Sequence, residues 1–401
     1  MGPSALAGRR HRGDDGTVLG SVVDIFRLRQ YFDVLVRVRQ VGRAVREDTG
    51  FLDLVRRSML PLPVDRPRPV DTRPFATARR HPLPALGRRR IGLVATGGSG
   101  ALASVVGVSR AFEEAGLRPA VFSLCSGSAL FGFPLAAGIP AADVAAFSCS
   151  LRPSDYVDVD WRKLAALVPT AARGFAGLLR GERLEQSYRH LLGDMRLGDM
   201  PVPAYAPIWN VEENRVAFIG PRTQPDMPVA RAVRMAVSLP LFFDPVALDG
   251  GSWCDGGIVD IFPVHPVLDF EPPCDAVIAV NGFYPPGFAG EDQTGWRDRP
   301  LSILDVAAQV RTSQQAQLAR ENLARLAACT EVHMIEPVAY DVVMGLGFYR
   351  QFLSTEDWAL FMRAGRDEAW SVLRRMAAAG TPRAAGGVAV PAAQPYAPLG
   401  R

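Results

Sequence analysis

IGLVATGGSGALASVVGVSRAFEEAGLRPAVFSLCSGSALFGF, residues 91–133, decides the fold. A short apolar run opens it, a glycine loop follows, then an amphipathic stretch, then a second apolar run that enters a Ser-Gly-Ser turn. Strand, loop, crossover helix, strand is the rhythm of a parallel sheet covered by helices. Working outward, AYAPIWNV, RVAFIG, DAVIAV and EVHMI supply further strands, while Leu301 to Ala328 and Thr355 to Met376 carry helical spacing. The expectation is an α/β domain with a mostly parallel central sheet covered by helices, running over residues 90–376.

On the N-terminal side, residues 1–20 lack apolar periodicity and read as a disordered tail. Residues 21–60 place Val22, Phe26, Val34, Leu35, Val38 and Val41 near helical spacing with interleaved arginines, which predicts an amphipathic helical extension. Residues 61–89 are too rich in Pro and Arg for helix or central strand and read as a linker. Residues 377–401 are Ala, Gly and Pro, a second disordered tail.

With 48% hydrophobic and 21% charged residues, the chain has the composition of a folded globular protein. A net charge of +4, spread over dispersed arginines, gives no basic stripe for nucleic acid. Five widely spaced cysteines without a C-x-x-C pair read as reduced, and the first residues carry no apolar signal-peptide core, so a cytoplasmic location is expected. Leu130 to Phe147 is interrupted by Pro134, Gly138, Pro140 and Asp143, which suits a buried helix and a turn better than a bilayer span. Neither a His/Cys cluster nor a calcium-type loop points to a metal, and no cofactor is expected.

Three segments carry the chemistry. In VFSLCSGSALFGF a serine at a strand-to-helix turn presents its hydroxyl beside a helix N-terminus, whose free N–H groups and dipole favour negative charge. The plain structural role of such a serine is an N-cap. ATGGSGALA can turn backbone N–H groups toward an anion, and it has neither dinucleotide nor P-loop spacing. In WCDGGIVDIFPV, Asp255-Gly256-Gly257 is by itself equally a turn.

Taken in order, Gly97-Gly98-Ser99-Gly100, Leu124-Cys125-Ser126-Gly127-Ser128 and Asp255-Gly256-Gly257, with AVSLPLFFDPV and IVDIFPV around the aspartate, resemble the patatin-like phospholipases over roughly residues 90–285. The resemblance implies a three-layer α/β/α domain and a lipid acyl hydrolase of phospholipase A or lysophospholipase type. It assigns Ser126 as nucleophile, Asp255 as base, and the backbone amides of Gly97, Gly98 and Gly127 as an oxyanion hole. The implied partner is a phospholipid or other acyl-lipid, with peripheral membrane contact through the N-terminal basic segment as a further possibility; oligomeric state is not legible. Two departures stand out. The cation of the family's glycine loop falls at Ala101, and Leu124 and Ser128 replace the two elbow glycines. They leave open a differently arranged turn, or a weakened enzyme that serves as a lipid-binding or scaffold protein. Ser128 and Cys125 are rival nucleophiles, and His265 and His333 are the histidines that a Ser-His-Asp hydrolase would need.

Overall fold

The computed structural model describes residues 80–159, 176–289, 303–343 and 346–379. The expected tail at 1–20, the helical extension at 21–60, most of the linker and all but the first three residues of the expected tail at 377–401 lie outside them; residues 377–379 continue the last helix. Residues 80–89 of that linker pack on the domain: Leu86 is buried, and the N–H groups of His81 and Leu83 donate to Glu114 and Ala115.

Among the described residues an eight-stranded sheet forms the middle layer. Strands β1 (Ile91–Ala95), β2 (Phe122–Ser123), β4 (Ala204–Asn210), β9 (Ala276–Val280) and β10 (Glu331–Ile335) run parallel in the order β10-β9-β1-β2-β4. Beyond β4 the sheet turns antiparallel through β5 (Arg215–Ile219) and the hairpin of β7 (Val246–Leu248) and β8 (Gly251–Asp255). Strands β3 (Gly177–Leu179) and β6 (Leu241–Phe243) pair separately.

Continuous apolar runs are what a strand covered on both faces requires, because alternate side chains point to opposite layers. In β9, Ala276, Ile278 and Val280 join one core, and Val277 and Ala279 the other. The first core is shared with helices α1 (Ser104–Glu114), α2 (Gly127–Ala136), α3 (Ala141–Ser150), α4 (Glu182–Leu192), α5 (Val229–Ala236) and α8 (Trp358–Ala379). On the opposite face, residues 261–270 and helix α6 (Ile303–Cys329) close the second core. This is the expected three-layer arrangement. Helix α7 (Leu346–Leu353) lies just before α8. No helix of the described residues is long and apolar enough to cross a membrane.

The expected break after Leu130 occurs at Gly138, which has a positive φ of 87°; α2 itself continues through Pro134.

Helices α1 and α8 share the first core. They run side by side, with Gly107 and Gly365 at their closest approach: a Cβ on Gly107 would lie 1.8 Å from the Met362 carbonyl oxygen, and one on Gly365 2.2 Å from that of Ser104. Below this crossing the buried Glu114 carboxylate accepts from Arg366 Nε at 2.9 Å and from Trp370 Nε1 at 2.6 Å. A buried carboxylate needs such partners to offset its lost hydration.

Helix propensity alone makes Gly→Ala in a helix favourable by roughly 1 kcal/mol. At Gly107 the backbone contact reverses the sign, because an added methyl forces the helices apart at a cost of roughly 1–3 kcal/mol. Gly107→Ala is therefore expected to lower the urea midpoint, measured by circular dichroism; a higher midpoint would contradict the close packing.

Candidate active site

Parallel strands deliver their loops to one edge of the sheet, and three loops meet there. β2 ends at Ser123 and runs through Leu124 and Cys125 into Ser126, which sits before α2 with φ 48° and ψ −120°. A non-glycine residue with positive φ costs roughly 1–3 kcal/mol and persists only where its surroundings impose it. No side-chain capping bond links Ser126 to its helix, so the N-cap role is not what this serine performs.

Both departures from the elbow pattern find local compensation. The Leu124 side chain packs on α2 where Gly132 leaves room; a Cβ there would lie 2.3 Å from Leu124 Cδ2. Ser128 is fully buried, and its hydroxyl accepts the Cys125 N–H at 2.8 Å and lies 2.9 Å from the Cys125 carbonyl, to which it donates. The turn is arranged differently: a side-chain brace replaces glycine freedom, and that use removes Ser128 as a rival nucleophile. Cys125 points into the opposite core, with its Sγ 3.5 Å from the Asp260 carbonyl. Burial, then Asp255 and Asp260, hold its thiol well above the ordinary range, which suppresses the thiolate.

The glycine loop passes directly over the elbow. A Cβ on Gly97 would be 2.5 Å from Ile261 Cδ1 and 3.2 Å from Ser126 Cβ, and one on Gly127 would be 2.2 Å from the Gly98 carbonyl oxygen. Gly98 has φ 150°. These contacts bring Gly97, Gly98, Ser126 and Gly127 together as expected, with one correction. The Gly97 N–H donates to the Ile261 carbonyl at 3.0 Å, so it is committed to holding the loop down and is not free for an oxyanion. The N–H groups of Gly98 and Gly127 have no acceptor among the described residues, and both residues line the cavity beside Ser126. The family's loop cation has no room here, because Ala101 is fully buried in the first core.

Asp255 arrives from β8, whose register with β4 sets Asp255 opposite Ile208. Its Oδ1 accepts the Gly257 N–H at 2.8 Å, and the two glycines permit close passage. A Cβ on Gly256 would be 2.5 Å from the Pro207 backbone, and one on Gly257 2.6 Å from Cys125 Sγ. The aspartate is 1% exposed. Its Oδ2 is buried without a well-aligned donor, yet the neighbouring Ser126 hydroxyl interacts closely enough to favour the charged form. Such loose contacts are common in resting sites. Burial dominates and raises the Asp255 pKa to about 7, against the lowering by Ser126 and the Gly257 N–H.

Over Ser126 opens a cavity with an almost wholly apolar lining. Leu130, Leu184, Val237, Phe243, Phe348 and Trp358 are among its walls. The tyrosine hydroxyls of the wall are occupied: Tyr156 and Tyr188 donate to the carbonyls of Phe352 and Leu130. Behind the β3–β6 wall, buried Arg234 donates to Ser238 Oγ and to the carbonyls of Arg180 and Asp244.

The histidines lie elsewhere in the network. His265 Nδ1 is 2.5 Å from Asp269, which also pairs with Arg325, and His333 Nε2 is 2.8 Å from Glu331. Asp260, four residues beyond the DGG turn's first glycine, went unrecognised in the sequence. It is a second buried acid, raised to about 7 chiefly by burial, and it accepts from Asn322 at 3.0 Å. Gln351 was also missed; it binds the glycine loop from 250 residues away, a separation that no local motif spans.

Residues 93–268 match the family model described as Patatin-like phospholipase. An uncharacterized NTE family protein of Mycobacterium tuberculosis is 24% identical over 107 residues, 27% of this chain and 28% of the relative. The uncharacterized protein YqhO of Bacillus subtilis is 33% identical over 123 residues, 28% of this chain and 40% of the relative. The matched region thus spans less than half the length of these relatives. Among solved structures, VipD from Legionella pneumophila gives a TM-score of 0.40 at 15% identity, covering 72% of this chain and 67% of that one. Human GIVD cytosolic phospholipase A2 gives 0.37 at 10% identity, covering 88% and 66%.

The raised Asp255 pKa has a sign for stability. An unfolded aspartate titrates near 3.9, whereas the folded one holds its proton up to about 7. The folded state therefore binds more protons between these values, and stability falls as pH rises through that window. Asp255→Asn, with no charge to bury, is expected to be more stable than wild type at pH 8 by on the order of 2–4 kcal/mol. The difference should shrink to near zero by pH 4. Urea denaturation at both pH values measures it; equal offsets at pH 4 and pH 8 would contradict the buried charge.

Proposed function

This chain is a member of the patatin-like phospholipase family, and we propose that it hydrolyses carboxylic esters of lipids with Ser126 as nucleophile and Asp255 as base. The observation that carries the reading is the coincidence of two features at one atom. Ser126, held at positive φ beside a buried acid, forms part of the wall of an almost wholly apolar cavity.

In the first step Ser126 Oγ attacks the ester carbonyl while its proton passes to Asp255. Negative charge gathers on the former carbonyl oxygen. Amides of Gly98 and Gly127, at the loop and at the helix N-terminus, are the available donors for it. Collapse expels the alcohol, which takes the proton from Asp255, and leaves an acyl-enzyme. Asp255 then removes a proton from water, the hydroxide attacks the acyl carbonyl, and the returning proton regenerates the Ser126 hydroxyl as the fatty acid leaves. Burial makes an aspartate basic enough for this exchange near neutrality.

The apolar wall supports acyl-lipids as the substrate class, from phospholipids to simpler esters. It holds the chain, and the ester carbonyl is the group left beside Ser126.

A fluorophosphonate probe is expected to label the wild type, and Ser126→Ala should lose both labelling and hydrolysis of a lysophospholipid. A wild type that neither labels nor hydrolyses would overturn the enzyme in favour of a lipid-binding protein. Since the base acts only when ionised, kcat/KM should rise with pH along a single ionisation with a midpoint near 7. A flat profile between pH 5.5 and 8.5 would count against Asp255 as the base.

A further inference from the structure

The loop that bears Gly98 is not held by its own residues. Ser99 Oγ donates to Gln351 Oε1 at 2.9 Å, and the Ala101 N–H donates to the same oxygen at 3.1 Å. The amide is turned into this position by its other end, since Gln351 Nε2 donates to the Val342 carbonyl at 2.8 Å. Its backbone joins the clamp: the Gln351 carbonyl accepts from Trp358 Nε1 at 3.1 Å, and Gly100 lies against both. A Cβ on Gly100 would be 2.0 Å from Trp358 Nε1 and 2.7 Å from the Gln351 carbonyl oxygen. Gln351 is 3% exposed, and every polar atom of its side chain is engaged.

A buried amide with three well-formed bonds is costly to misplace, so the loop is pinned to the frame that α7 and α8 provide. The pinned residues flank Gly98 on its C-terminal side by one, two and three positions. Gly97 is pinned on the other side through Ile261. Between these anchors Gly98 has one place to go, with its carbonyl against Gly127 and its amide beside the cavity.

The same helix faces the chain-binding cavity. Phe348 and Phe352 of α7 line it on either side of Gln351 in sequence, and Tyr156 donates to the Phe352 carbonyl. Loop and wall are therefore parts of one clamped unit.

We propose that Gln351 is a positioning residue for the oxyanion loop: it fixes Ser99 and Ala101 so that the Gly98 amide is preset for the developing charge, in a loop that carries no cation of its own. The role rests on the reading of Ser126 as nucleophile. Its energetic logic is preorganisation: a donor already in place stabilises the transition state without reorganising during the reaction.

The test is steady-state hydrolysis of esters of increasing acyl length by the full chain. Gln351→Leu keeps a buried side chain of similar volume but removes the acceptor, and it is expected to lower kcat by about tenfold to a hundredfold with KM unchanged at every chain length, part of the roughly 10²–10³ attached to a whole oxyanion donor. Gln351→Glu retains an acceptor oxygen and should recover most of kcat. Ser99→Ala removes one donor only and tests the same clamp gently, with about a threefold to tenfold loss expected; in the Gln351→Leu background it should add nothing, because both changes break one unit. A merely structural role would shift α7, open the cavity and raise KM, most for long chains. An active wild type whose Gln351→Leu variant keeps kcat, or loses through KM, or shows losses additive with Ser99→Ala, overturns the role of Gln351 and leaves the function standing. A wild type without esterase activity overturns the function and this role with it.

Discussion

Around Ser126 three backbone segments pass closer than any side chain would allow, and this crowding governs the site. The glycine loop lies on the elbow with the Gly98 carbonyl almost touching Gly127, while the DGG turn presses against Cys125 and the β4 backbone. Ser126 is held at φ 48° because the segments around it leave little else. The sheet supplies the rigidity that makes such strain tolerable. β1 and β2 are central, buried on both faces, and hydrogen-bonded on both edges, so their ends cannot relax independently.

Crowding also creates the electrostatics. Closing three segments over Asp255 removes its water and raises its pKa to about 7, and the residue becomes both a liability for folding and a usable base. Glu114 shows the contrast within one molecule. It is equally buried, but Arg366 and Trp370 supply the donors that Asp255 lacks, and it serves structure alone. Arg234 likewise spends its hydrogen bonds on the wall of the cavity.

Much of the fold was legible because its signals are local. The apolar runs at 91–95 and 276–280 are strands buried on both faces, EVHMI at 331–335 is the half-buried strand at the sheet's edge, and the long amphipathic stretches near 301–328 and 355–376 are helices, extending in the structure over Ile303–Cys329 and Trp358–Ala379. The shortness of β2, two residues from the apolar run at 120–125, could not be read, since strand ends depend on pairing with β1 and β4. Nor could the compensation of the missing elbow glycines. Leu124 is accommodated by Gly132 across the turn, and Ser128 braces Cys125, both through contacts that exist only once strand and helix have packed.

The amino-acid sequence by itself determined the α/β class with its mostly parallel sheet and the order of the three segments, because apolar runs, glycine at tight turns and a serine between strand and helix are written in neighbouring residues; the proposed pairing of Ser126 with Asp255 came from the resemblance that those segments carry. Tertiary structure alone decided which amides are left free. Gly97 gives its N–H to Ile261, whereas Gly98 and Gly127 keep theirs beside the cavity, and Gln351 reaches the loop from a helix 250 residues away. Hydrogen-bond satisfaction is a property of packed neighbours, and chain proximity does not encode it.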